Sequence, residues 1–220
     1  MDKQAARANV VKAVLSIYGL LEPWIEVIYK TVAYYDRVLS RDVRDLYNGE
    51  MEREAFVDDM IRLIDEQLRR AWNEGMRDNG LDPESDMTPE WEAHLEEMQL
   101  SELDHIEQFA DDILDAAKDQ DPIEPLEARV EMWTNRYNEV VNESHIVTKP
   151  EAHFKWVYGD TAHCETCAHL NGIIATGEEW EASGYHPQQP PNDMLECGGW
   201  HCQCVFEPTD EPVTEGGIPE

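Results

Sequence analysis

Cys164-Glu165-Thr166-Cys167 and, thirty residues further on, Cys197-Gly198-Gly199-Trp200-His201-Cys202-Gln203-Cys204 decide how this chain is read. All five cysteines fall within 41 residues, and the first 163 residues hold none. A two-residue gap lets two thiolates meet one tetrahedral ion from a single turn, and Gly198–Gly199 permits the backbone to fold tightly around it. Four thiolates at about 2.3 Å complete a closed site with no position left for water. The expectation is therefore one structural Zn2+ held by four of Cys164, Cys167, Cys197, Cys202 and Cys204. Cys164 and Cys167 anchor the set. Cys197 with Cys202, or Cys202 with Cys204, can complete it, and His201 can replace a sulfur. On an extended strand Cys202 and Cys204 point to the same side. The choice of the third and fourth ligands stays open.

Other uses of the cysteines fit less well. Disulfides suit an even count and a secreted chain; here the count is odd and no signal peptide is read near Ala13–Leu21. A thioredoxin-type pair needs a helix within a βαβ setting, and the sequence around Cys164 suggests neither. A catalytic zinc needs three protein ligands, an open position and a nearby base; Glu165 is adjacent, which is weak support.

Outward from the cysteines, residues 150–207 contain few large aliphatics: Val157, Leu170, Ile173, Ile174, Leu195, Val205 and Phe206 as the aromatic addition. Such a core is marginal alone, and a bound metal supplies folding free energy directly. His153–Tyr158 reads as a strand. Asn171–Gly172 between two apolar pairs is a hairpin signal. Residues 183–199 read as a loop, Gln203–Phe206 as a closing strand. The stretch 208–220, with three prolines, two glycines and four acids, is expected to be disordered.

Upstream the pattern is helical. One helix is expected over residues 2–18 and a second from Glu22–Pro23 to Tyr47, with Trp24, Ile28, Val32, Tyr35 and Leu39 on one face. A third runs from Glu50 to Asp78 on the stripe Val57, Ile61, Ile64, Leu68 and Trp72, and stops at Asn79–Gly80. Thr88-Pro89-Glu90 starts a fourth, or a broken pair, reaching Lys118 with Leu103, Ile106, Ala110, Ile113 and Ala117 inward. A last helix carries Leu126, Val130, Trp133, Tyr137 and Val140 and ends near Asn142. Trp72, Trp133 and Tyr137 are read as core residues.

The net charge of −31 lies wholly in residues 51–220, because seven acids balance seven bases before that point. No Lys or Arg follows Lys155. A surface of this kind repels phosphate, so direct nucleic-acid binding is disfavoured and a nuclease is an unfavourable reading despite His163, His169, His186 and His201. Each helix has an acidic face, read as solvated outside; a docking face for a basic partner is the functional alternative. The adjacent pairs Asp111–Asp112 and Glu96–Glu97 do not share a helix face and read as surface acids. There is no phosphate loop, nucleophile elbow or metalloprotease helix motif. No run reaches transmembrane length, so a soluble protein is expected.

Lys155-Trp156-Val157-Tyr158-Gly159-Asp160, Cys164-Glu-Thr-Cys167, Leu170-Asn171-Gly172, a proline-rich loop and Cys202-Gln-Cys204 together resemble the phage Mu F-like minor head protein family, also called head morphogenesis proteins. The match covers residues 155–207. It departs at position 199, where the family's late His is Gly, and Cys197 is taken as the substitute ligand. The resemblance implies a non-enzymatic, few-copy virion component made in the host cytoplasm and built into the head against portal or major capsid protein. A metal-dependent, nuclease-like hydrolase and an acidic adaptor are the alternatives. The fold expected is α+β: a mainly helical arm or bundle over residues 1–149, a zinc-stabilised, β-hairpin-rich module over 150–207, and an acidic disordered tail over 208–220.

Overall fold

The computed structural model describes residues 32–159, 162–200 and 202–219. The expected helix over residues 2–18, the start of the second helix with Trp24 and Ile28, and the side chains of Asp160 and His201 lie outside the described residues. The fold is α+β, a helical bundle carrying one small antiparallel sheet.

Among the described residues, five helices build the bundle: α1 (Val32–Tyr47), α2 (Arg53–Asp78), α3 (Pro89–Ser101), α4 (Leu103–Asp119) and α5 (Glu124–Thr148). Their starts and stops follow the local chemistry. Thr88 caps α3 by accepting the Trp91 N–H at 3.2 Å, with Pro89 at the first helical position. Gly80 takes a left-handed φ of +76° just past α2. The expected fourth helix is indeed a pair, divided at Glu102.

The apolar stripes enter one core. Tyr35, Leu39, Ile64, Leu68, Trp72, Ile106, Ala110, Ile113, Val130 and Val140 are buried there. Ile61 is only half-buried, because α2 turns Phe56, Met60 and Leu63 inward beside the expected stripe. Phe109, which lay outside the expected stripe of α4, fills the centre. It packs on Phe56 at 6.1 Å and on Trp133 at 4.8 Å between ring centroids.

The helices α2 and α5 share the largest interface. Gly75 makes it possible: a Cβ there would sit 2.7 Å from Ser144 Cβ and 2.8 Å from the Val141 carbonyl oxygen. The Ser144 hydroxyl donates to the Trp72 carbonyl at 2.8 Å across the same crossing. Gln67 donates from Nε2 to the Trp133 carbonyl at 2.8 Å, and Asn79 from Nδ2 to the His145 carbonyl at 2.8 Å. The NH2 group of each of these buried amides thereby finds an acceptor on α5.

Arginines tie the helices at the surface: Arg44 to Glu127, Arg53 to Asp111, Arg69 to both oxygens of Glu92, and Arg129 to Asp112. Asp111 and Asp112, expected as plain surface acids, are therefore partners of bundle arginines. At the base of α5, Arg136 bridges Glu102 at 2.9 Å and Glu139. Burial pushes the Glu139 carboxyl up to about 7, against the opposing pull of Arg136.

α5 runs six residues beyond its expected end at Asn142, to Thr148. Its last turn belongs to a second core. There β1 (His153–Val157) is the middle strand of a sheet ordered β2–β1–β3, with β2 (Ile174–Thr176) and β3 (Val205–Thr209) both antiparallel to it. Between β1 and β2 lies α6 (Glu165–Leu170), and after β2 comes α7 (Gly177–Ser183), whose start Thr176 and Glu179 form a reciprocal capping box. Phe154 and Trp156 alternate inward from β1 and meet Trp180 and Phe206. Trp156, Trp180 and Phe206 pack within 5.0–5.8 Å of one another, and the Trp180 indole donates to the Phe154 carbonyl at 2.9 Å.

Three expectations are corrected here. Asn171–Gly172 does not turn a hairpin: Ala168–Leu170 ends α6, and Gly172, at φ +86°, reverses the chain from that helix into β2. The module is thus a three-stranded sheet with short helical crossovers rather than hairpin-rich. Of the stretch 208–220, expected to be disordered, the described residues 208–219 are not a free tail. Pro208 and Thr209 belong to β3, Thr214 exchanges two hydrogen bonds with Ile174 at 2.8 Å each, and Ile218 packs on the second core. The core is also larger than its aliphatics suggested, because its bulk is aromatic.

Gly75→Ala is expected to destabilise the protein by about 1–3 kcal/mol in urea denaturation, although alanine favours helix, because the added methyl overpacks the crossing. A carbon-13 NMR titration is expected to place the Glu139 carboxyl midpoint near 7, with the proton held through the range in which exposed glutamates have lost theirs.

Candidate metal centre

Three pieces of backbone bring the cysteines together. Cys164 caps α6, its sulfur accepting the Cys167 N–H at 3.4 Å, so the first pair sits on a single tight turn. The loop before β3 returns Cys197 to this turn. It can do so because Gly198 and Gly199 take left-handed φ values of +64° and +81°, and a Cβ on Gly199 would lie 2.5 Å from the Gln189 carbonyl oxygen. The approach to β3 delivers Cys202 and Cys204, with the Cys204 carbonyl held by Gln188 Nε2 at 2.9 Å.

The result is two groups of three sulfurs that share one member. Cys164, Cys167 and Cys197 form one, and Cys167, Cys202 and Cys204 the other; within each the sulfurs all lie within 4.8 Å of one another. All five expected residues are therefore at the centre. Tetrahedral ligands about 2.3 Å from an ion stand roughly 3.8 Å apart, so either group needs only small side-chain adjustment to close on one. Cys167 and Cys204 are buried, and Cys164, Cys197 and Cys202 half-buried. The five cysteines are free thiols in this structure.

The electrostatics are those of thiols sharing protons. Cys167 donates toward Cys202 and Cys204, which drives its own ionisation up. The same hydrogen bonds, from Cys167 and then Cys202, pull Cys204 down to about 3. Cys164 and Cys204 are the two thiols pulled down, and metal ligation requires the thiolate form.

Sequence reasoning missed the fastening around the sulfurs. Glu196 receives the Glu165 N–H on its carboxylate at 2.7 Å and donates its own N–H to the Thr166 hydroxyl at 3.1 Å. These two bonds lock the Cys197 loop to the Cys164–Cys167 turn. The only available signal was an acid immediately before Cys197, which is too common to read. His163 was noted in the sequence; its ring stacks on Tyr158 at 3.7 Å and its Nδ1 lies 3.8 Å from Cys204 Sγ. His186 instead faces Glu181 at 3.6 Å and His169 is exposed, so the described histidines do not converge. Among the described residues, no group built of His, Asp or Glu gathers to metal-binding distance. The Cys164 pair does sit at a helix, contrary to expectation, but that helix has six residues and joins antiparallel strands, so the βαβ setting of a thioredoxin site is not present.

Cys167 is common to both groups. Cys167→Ser is expected to reduce metal affinity more than serine at any of the other four cysteines, measured by competition against a chromophoric chelator. Serine at the cysteine left outside the ion's ligand set is expected to lower the affinity by no more than about 10–100-fold, as for a group that touches the ligands without being one.

Compared with family models, curated proteins and solved structures, the chain gives no significant match.

Proposed function

We propose that this chain is a structural minor head protein of a tailed virus, whose C-terminal module is stapled by one Zn2+ and whose helical bundle docks on portal or capsid protein during head assembly. The observation that carries the metal part is the meeting of both cysteine groups at Cys167. Zinc is the ion that best suits the donor set: both groups are all sulfur, soft ligands that disfavour magnesium or calcium, and the tetrahedral geometry needs no open position. Cys167 and three of Cys164, Cys197, Cys202 and Cys204 would hold it. The ion's role there is to cross-link α6, the 197–204 loop and the start of β3.

The head-protein part rests on the resemblance of residues 155–207. What favours a structural over a catalytic role is the surroundings of the sulfurs. Glu196, beside Cys197, accepts the Glu165 N–H, and His163 stacks on Tyr158 with Nδ1 toward Cys204, so both side chains are positioned by the module's own fastening. The acidic surface suits a component that must not adhere to packaged DNA.

Purified protein is expected to carry one zinc per chain by elemental analysis, with four thiols protected from a colorimetric reagent until a chelator is added. Chelation is expected to abolish the near-ultraviolet tryptophan signal of the Trp156–Trp180 core while most far-ultraviolet helix signal persists. Two disulfides and no metal would overturn the zinc reading. For the assembly role, the chain is expected to sediment with purified heads and to be captured by immobilised portal or capsid protein; failure of both would overturn it.

A further inference from the structure

A cleft of about 360 Å³ lies between the bundle and the cysteine module. One wall is α5 with the start of α4, and the other is the loop 188–202. Met132 and Trp200 stand on its rim, 48% and 45% exposed, two of the few large apolar side chains left in solvent. Trp133 lines it from the bundle core. At its base are Glu102, Arg136 and Glu139. The volume is that of a ligand pocket, and the mixture of aromatic walls with a few polar groups is the usual composition of one.

The polar groups are unevenly satisfied. The cations of the cleft are already committed: Arg129 is held by Asp112 at 2.5 Å and lies over the Phe109 ring at 4.5 Å, and Arg136 serves Glu102 and Glu139. The anions are not. Glu139 is only 3% exposed, and among the described residues its Oε2 has no hydrogen-bond partner. Glu131 adds an exposed carboxylate on the same wall. Counting Asp112, four acids stand against two arginines in and around the cleft, in a chain whose net charge is −31. Leaving a buried acceptor without a donor costs about 1–3 kcal/mol, so the base of the cleft favours a ligand that brings a donor and a positive charge.

We propose that this cleft receives an arginine side chain from a basic segment of a partner protein. The planar guanidinium slides between Trp133 and Trp200, where both the ring faces and the surrounding carboxylates attract it, and donates to Glu139 Oε2. The methylene stem lies along Met132. Arg136 Nε, which also has no partner among the described residues, is left to donate to a backbone carbonyl of the same segment. A lysine fits less well, because it cannot stack as a plane between two indoles. The proposal stands on the cleft and is separate from the zinc reading, although the metal would fix the wall that carries Trp200.

The test is a titration of the full chain, as purified, with acetyl-Ala-Arg-Ala-amide at 0.15 M salt, where diffuse attraction to the acidic surface is screened beyond about 8 Å. The readout is the nitrogen-15 indole signals. Saturable shifts confined to Trp133 and Trp200 are expected. The citrulline peptide, equal in shape but uncharged, is expected to bind at least about tenfold more weakly, as is the arginine peptide to Trp200→Ala. Trp200 is on the surface, so this variant keeps the fold; Met132→Ala tests the opposite rim and is expected to weaken binding several-fold. Three results would each overturn the proposal: no saturable shift, equal binding of the citrulline peptide, or shifts spread over indoles remote from the cleft such as Trp72 and Trp156. Zinc content measured on the same sample separates this outcome from failure of the metal reading.

Discussion

Asn142 and His145 on α5 hold the backbone of β3 at both polar groups of one residue. Asn142 Oδ1 accepts the Phe206 N–H at 2.8 Å, and His145 Nδ1 meets the Phe206 carbonyl at 3.1 Å. One turn further on, Ile146 enters the second core beside Phe154, and the His145 ring stacks on Phe154 at 5.8 Å. α5 therefore serves two cores at once: its earlier turns, from Leu126 to Val140, fill the bundle, and its last turn anchors the sheet. A strand at a sheet edge normally exposes its unpaired backbone groups. Here the helix takes them at Phe206, which fixes where β3 begins, and the position of β3 fixes Cys202 and Cys204 immediately before it. The geometry of the metal centre is thus set by the bundle, through hydrogen bonds made far along the chain.

How much of this was legible in the sequence depends on the range of the interaction. Helix caps and stripes are local, and Thr88, Asn79–Gly80 and the Val130–Trp133–Tyr137–Val140 face were read correctly for that reason. The end of α5 was not, because the polar residues Asn142, Ser144 and His145 looked like the edge of a helix. They are buried partners of backbone groups on α2 and β3, and nothing in a window of neighbours reveals that. The same limit applies to residues 208–219. Proline, glycine and acid content pointed to disorder, yet Thr214 finds β2 and Ile218 finds the second core, contacts that no composition encodes. Asn171–Gly172 misled differently: the turn chemistry was right, with Gly172 at positive φ, but a helix and not a strand precedes it.

The five cysteines themselves could be picked out at once, since their spacing alone carries the chemistry. What spacing could not supply was their partition. Both candidate third ligands proved to be near the centre, each in its own group, and the shared member turned out to be Cys167. That sharing follows from the fold. Cys167 points inward from the first turn of a helix, while Cys164 points back as its cap, so only Cys167 faces both the loop and the strand. The core looks marginal from its aliphatics for a related reason: a count of aliphatics leaves out Trp156 and Trp180, which the sheet and α7 stack on Phe206.

Charge places a last constraint on the module. After Lys155 the chain supplies twelve acids and no Lys or Arg, so no side chain there can offset ionised sulfur except a protonated histidine. In the bundle, by contrast, nearly every acid that matters to packing has an arginine: Glu127, Asp111, Glu92 and Asp112 each pair across helices. Such exposed pairs contribute little singly, but they neutralise the acids between packed helices. In the module the described Lys or Arg pairing is Lys155 with Glu211 at 3.4 Å, away from the cysteines in sequence. Ionising several of five gathered sulfurs is unfavourable unless their charge is met by an ion or their protons are shared. Proton sharing is the second solution: hydrogen bonding to Cys202 and Cys204 raises Cys167, and hydrogen bonding from Cys167 and Cys202 lowers Cys204. A divalent cation is the first, and it removes the repulsion while joining the same three backbone segments.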